Sequence, residues 1–158
     1  MKHFTLVALS ADRRIAAVAI FRDVRLEDTK LRHLPVDAAK ASGSLRQLVL
    51  RALEWYRPDV LAIRRPAREN SERIRLLCQD AKQLASELGI PTVEVDDVTL
   101  SYAYGHPPLV RKEDLRRVGH AIWPGLADAV TQTAAVDAAL TGLYVQTERL
   151  FSLYEEGA

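Results

Sequence analysis

The chain has 158 residues, of which 48% are apolar and 27% charged, the size of one domain with enough hydrophobic material for a real core. Its 22 lysines and arginines nearly balance 21 aspartates and glutamates, so it lacks the positive excess of a histone-like nucleic-acid binder and any basic patch is local. A single cysteine, Cys78, excludes an internal disulfide framework and a cysteine-only zinc site. With no long apolar run and no signal-peptide start, the expectation is a soluble, cytoplasmic protein without a membrane partner.

Residues 4–9 and 15–21 are β-favouring runs separated by Ser10-Ala11-Asp12-Arg13-Arg14, a polar connection of hairpin length. A charged turn over 22–28 leads to a third strand over 29–34, ended by Pro35. From Ser44, which is placed to cap, Leu45, Leu48, Val49, Ala52, Leu53 and Tyr56 fall at the spacing of one helix face. Val60-Leu61-Ala62-Ile63 shows no polar alternation, as expected of a strand covered on both faces. A second helix starts near Asn70 or Ser71 and stops at Gly89 and Pro91, and residues 92–95 form another short strand. Residues 96–111, with Gly105, Pro107 and Pro108, read as irregular, 112–122 as a short helix, and 127 to about 151 as a long one.

Four segments carry a further signal in this order. They are Leu6-Val7-Ala8-Leu9-Ser10-Ala11-Asp12 with the strand over 15–20, and Pro58-Asp59-Val60-Leu61-Ala62-Ile63-Arg64. Gly105 followed by Arg111-Lys112-Glu113-Asp114-Leu115, and Ala135-Val136-Asp137-Ala138-Ala139-Leu140, complete the set. Together they resemble the RuvC-like branch of the ribonuclease H fold, the Holliday-junction resolvases and their relatives. The matching parts are the opening strand with its acidic residue, the Pro-Asp-x-x-Ala-Ile-Glu segment, the glycine loop with its Lys-Glu helix, and the small-residue start of the last helix. The likeness spans nearly the whole chain. Asp96-Asp97-Val98-Thr99 is similar to a motif of the YqgF-like branch of ribosomal RNA maturation, but the lysine helix and the chain length favour the RuvC side.

The resemblance implies an α/β fold of the ribonuclease H-like type: one domain over 1–158, with a five-stranded mixed sheet (three antiparallel strands plus two parallel) flanked by helices, and a homodimer. It also implies phosphodiester cleavage by two magnesium ions on a cluster of about four carboxylates. At the matched positions stand Ser10, Arg64 and Ala134, and only Asp137 remains acidic. One carboxylate does not hold two magnesium ions, and an arginine in the adjoining strand repels them. The expectation is a degenerate catalytic site that needs no cofactor. A rearranged acidic site built from Asp137, Asp12 and Asp97 would need magnesium or manganese. The plainer reading makes Asp12 a turn residue and Asp97 a cap. Asp137, in an alanine-rich helix, is a metal ligand or the ion-pair partner of Arg64 or Arg65, because an unpaired buried carboxylate costs several kcal/mol.

Arg13, Arg14, Arg64, Arg65 and Arg68 converge in such a fold at one edge, where planar guanidinium forks suit phosphates; the alternative makes Arg13 and Arg14 a solvated hairpin tip and Arg68 the ion-pair partner of Glu69 or Glu72. Lys112 matches a lysine of the family's DNA-facing cleft and Arg111, Arg116 and Arg117 add charge nearby, although Glu113 and Asp114 in the first turn are also what simple dipole matching produces; Leu100 and Ser101 stand where relatives present lysines. Tyr102, Tyr104 and His106 are base-stacking or loop-anchoring residues. Trp55 and Trp123 read as core or dimer-interface residues. The favoured function is binding of DNA or RNA without cleavage. The alternatives are an active metal-dependent endonuclease with the rearranged site and a non-catalytic protein-interaction subunit.

Overall fold

The computed structural model describes residues 2–65, 71–105, 108, 112–126 and 133–156. Strands β1 (Thr5–Ala11) and β2 (Ile15–Arg22) form the expected hairpin. Asp12 closes it, its carboxylate accepting from the backbone N–H groups of Arg14 at 2.8 Å and Ile15 at 2.7 Å. Strand β3 (Arg25–His33) begins earlier than the sequence pattern shows. Asp23, at φ 53°, and Val24 suffice for the turn, and the Asp23 carboxylate accepts from the backbone N–H of Phe4 at 2.9 Å. Of the residues expected to be a long charged turn, 25–28 are edge-strand residues whose charges oppose unwanted strand pairing.

Strands β4 (Val60–Arg65) and β5 (Thr92–Asp96) complete one sheet in the order β3-β2-β1-β4-β5. The β1–β4 and β4–β5 pairs are parallel and the other two antiparallel. Val60, Leu61, Ala62 and Ile63 are all buried, because helices cover both faces.

Helices α1 (Ala38–Tyr56) and α2 (Glu72–Glu87) lie against one face, where Val7, Leu9, Val18, Leu45, Leu53, Ile63 and Leu84 share a core. Helix α1 starts at Ala38 and not after Ser44. The Asp37 carboxylate accepts from the Lys40 N–H at 2.9 Å, and the first turn is exposed, so no apolar stripe announces it. Helix α2 starts after Ser71, as expected, and Gly89, at φ 71°, follows its last turn in the left-handed region that glycine adopts freely.

Helices α3 (Asp97–Tyr104), α4 (Lys112–Ile122) and α5 (Thr133–Glu156) lie on the other side, and a 3-10 turn, Pro124–Leu126, follows α4. Helix α3 replaces part of the irregular stretch read from the sequence. Its N-terminus is satisfied by the Asp96 carboxylate, which accepts from the Thr99 N–H at 2.8 Å, and this contact holds the Asp96 carboxyl below the ordinary carboxylate range. Residues 127–132, the predicted start of the last helix, lie outside the described residues. No helix among the described residues is long and apolar enough to cross a membrane.

Helix α5 sits directly on the sheet because its contact residues are small. A Cβ added at Gly142 would stand 2.5 Å from Phe21 Cε2 and 3.2 Å from Ala8 Cβ. Gly142→Ala is therefore expected to destabilise by about 1–3 kcal/mol through overpacking, despite alanine's better helix propensity. Urea unfolding checks this, and an unchanged midpoint would show that Phe21 yields without cost.

Candidate functional site

Parallel pairing sets Leu9 beside Ile63, so the next residues, Ser10 and Arg64, emerge together where β1 and β4 end. Strand alternation sends both to the α5 side of the sheet. Arg64 is only 7% exposed. Its Nε donates to Asp97 Oδ1 at 2.7 Å and its Nη2 to Asp97 Oδ2 at 2.9 Å, a two-pronged pairing. Its Nη1 donates to Ser10 Oγ at 3.1 Å and stands 3.8 Å from Asp137 Oδ2. From α4, Arg116 Nη2 lies 4.0 Å from the same Asp137 oxygen.

Each side chain is placed by its own element. Asp97 is presented by the first turn of α3, which the Asp96 cap fixes. Asp137 projects from α5 between the buried Val136 and Ala138. Arg116 is brought near by the close approach of α4 and α5 at Gly119, where an added Cβ would stand 2.3 Å from Val136 Cγ1. Among the described residues, two guanidinium groups and two carboxylates thus meet in a partly desolvated cluster. Such a cluster is tolerable only when each charge is met by opposite charge and directed hydrogen bonds.

Of the acidic residues singled out in the sequence, Asp97 and Asp137 come together around Arg64. Asp12 is not part of this cluster, because its carboxylate is engaged by the hairpin turn. Among the described residues no three His, Cys, Asp or Glu side chains form a group that could hold a metal ion. The two-magnesium centre implied by the resemblance does not fit this donor set, since the two carboxylates face a guanidinium that both compensates and repels. Ala134, 4% exposed, packs in the core beneath α5.

The five arginines expected to face one cleft do not all do so. Arg64 points inward, with its guanidinium occupied by protein groups, and is unsuited to be a phosphate ligand. Arg65 follows it in the strand and turns the other way, 60% exposed and near Glu94 (3.7 Å) and Asp96 (4.0 Å). It is Arg64, not Arg65, that meets Asp137. Arg13 and Arg14 are exposed at the hairpin tip. Arg68, Arg111 and His106 lie outside the described residues, while Lys112 opens α4.

Arg116, expected only to add charge near Lys112, is a member of this cluster. Its signal was its place on the α4 stripe, between buried Leu115 and the contact glycine Gly119. Tyr104 is an anchor: its hydroxyl donates to the Leu140 carbonyl at 2.5 Å, and burial pushes that hydroxyl's pKa well up. Tyr102 is exposed on α3. Trp123 packs edge-to-face on Phe21 at 6.2 Å. Trp55 is 81% exposed and does not belong to the core.

Solved structures share this architecture. Thermus thermophilus RuvC in complex with a Holliday junction substrate superposes with a TM-score of 0.75 at 16% identity, over 94% of this chain and 96% of that one. The yeast mitochondrial Holliday junction resolvase gives a TM-score of 0.66 at 9% identity, over 97% of this chain and 84% of that one. The fowlpox virus resolvase, solved with Holliday junction DNA, gives 0.65 at 12% identity, over 93% of this chain and 99% of that one. No protein-family model matches the sequence, and no curated protein matches it. The chain therefore has the RuvC-like, ribonuclease H-type fold, with the five-stranded mixed sheet expected from its sequence.

Proposed function

We propose that this chain binds nucleic acid through the RuvC-like scaffold without cutting it, and needs no divalent-ion cofactor. The observation that carries the reading is the Arg64 fork on Asp97, with Ser10 and Asp137 on its remaining side. In this proposal the guanidinium takes the place that metal ions occupy in cleaving relatives. The cluster then serves as a rigid floor, and binding falls to outward cations at the same end of the sheet. Arg13, Arg14 and Arg65 are the foremost of these; Arg68, Arg111 and Lys112 join the proposal on their place in the sequence alone. Their forks and ammonium groups suit phosphate oxygens, which position a nucleic acid without reading its sequence. The junction complexes of the Thermus and fowlpox proteins support junction DNA as the first ligand to try.

The test is fluorescence anisotropy with a labelled four-way junction and a matching duplex across a salt series. Binding is expected to weaken as salt rises, and Arg13→Glu/Arg14→Glu/Arg65→Glu is expected to lower affinity by about tenfold or more, with a shallower salt slope. Unchanged affinity in that variant would remove these arginines as the binding groups, and no salt-sensitive binding by the parent would replace the reading with a protein-interaction subunit. Junction cleavage with magnesium or manganese that Asp137→Asn abolishes would replace it with the endonuclease. A homodimer is part of the proposal, and sedimentation velocity reads it directly.

A further inference from the structure

Trp55 is an exposed aromatic that neither the core nor the arginine cluster uses. It stands at the last turn of α1, 81% exposed, at the mouth of a groove of about 760 Å³ between α1 and edge strand β3. Leu48 and Ala52, both nearly buried, contribute apolar wall, and Tyr56 closes one side with its hydroxyl donating to Asp28 at 3.1 Å. Lys30, Arg32 and Arg51 line the rim with the carboxylate of Glu54, and the Asp28 carboxylate stands beside Tyr56. Asp28 draws on Lys30 at 3.7 Å, and Arg32 is held by Gln47 Oε1 at 2.9 Å. Arg51 has no carboxylate within ion-pair distance among the described residues, and it lies one helical turn from Trp55, on the same flank.

We infer that this groove takes a single-stranded nucleic-acid segment, with a base stacked on Trp55 and flanking phosphates met by Arg51 and Lys30. A bare indole face bordered by positive charge matches the alternation of flat base and anionic phosphate along a single strand. A purely apolar peptide would gain nothing from the cationic rim. A second copy of the chain would have to approach an edge strand that carries Arg25, Glu27, Lys30 and Arg32, a charged edge of the kind that resists strand pairing. The ligand class rests on the nucleic-acid reading above, but the location is independent. The groove borders α1, across the sheet from the α5 side that holds Arg64.

Titration of the full chain with oligothymidylate, followed by tryptophan fluorescence, tests the inference. Quenching is expected in the parent and is expected to vanish in Trp55→Phe, which leaves Trp123 as the remaining indole. Trp55→Ala and Arg51→Glu are each expected to weaken oligothymidylate binding by roughly tenfold, with circular dichroism unchanged because both side chains are exposed. Arg13→Glu/Arg14→Glu/Arg65→Glu is expected to leave the quenching in place. Oligothymidylate binding that does not quench, or that survives Trp55→Ala, overturns the groove while leaving the junction reading intact. So does a Trp55 emission that shifts with protein concentration and ignores the oligonucleotide, which would assign the groove to a second copy.

Discussion

Replacing Arg64 by alanine is expected to destabilise the protein by about 3–5 kcal/mol, the range seen when one partner of a buried ion cluster is removed. The parent cluster neutralises Asp97, 18% exposed, and Asp137, 15% exposed, with a fork that satisfies both Asp97 oxygens. Without it, two carboxylates remain poorly hydrated beside the Ser10 hydroxyl, and Arg116 reaches only Asp137. Arg64→Lys keeps a charge but not the planar fork, so an intermediate loss is expected. A double-mutant cycle with Asp97→Asn separates the two contributions: the asparagine is expected to recover part of the alanine variant's loss, with a coupling of about 1–3 kcal/mol. Urea unfolding measures the parent and all four variants. A loss below about 1 kcal/mol for Arg64→Ala would mean that the carboxylates are solvated in solution and that nothing is held at this position.

Combining Ser10→Asp with Arg64→Glu is expected to convert the neutral cluster into a divalent-ion site. The two introduced carboxylates join Asp97 and Asp137 at the ends of β1, β4, α3 and α5, giving four like charges in a partly buried space. Without metal their repulsion lowers stability sharply. With manganese, oxygen ligands of negative charge surround a hard cation, and a ligand at one hundred times its dissociation constant stabilises by about 2.7 kcal/mol. In a protein of this size that is a rise in Tm of roughly 5–10 °C. The parent is expected to show no comparable response to manganese. If the double variant does not fold even with metal, Ser10→Asp with Arg64→Gln introduces one charge fewer and allows the same titration. A parent that binds manganese as strongly as the variant would refute the view that Arg64 occupies the metal position.

Both experiments concern one contrast, between a guanidinium and a pair of cations, and the sequence exposed only half of it. Arg64 and Ser10 are visible as departures at strand ends, because the hydrophobic run 60–63 and the β-favouring run 4–9 define where those strands stop. The grip on Asp97 was not visible. Its residue opens a helix whose cap is one aspartate and whose eight residues show little apolar periodicity, so the stretch read as irregular. The exposed first turn of α1 hid the helix start in the same way. The second half of the cationic edge was overread, since adjacent strand residues face opposite sides and Arg64 and Arg65 cannot share a cleft.

Local pattern therefore determined the hairpin, the interior strand β4, the long helices and their order, and through that order the fold. These are properties of burial periodicity and turn chemistry, which act within a few residues. Only the tertiary structure decided that Arg64 turns inward onto a carboxylate 33 positions away and that Trp55 faces solvent. Each of those outcomes depends on how separate elements pack, and the energy that settles it, the pairing or solvation of a single side chain, leaves no periodic trace along the chain.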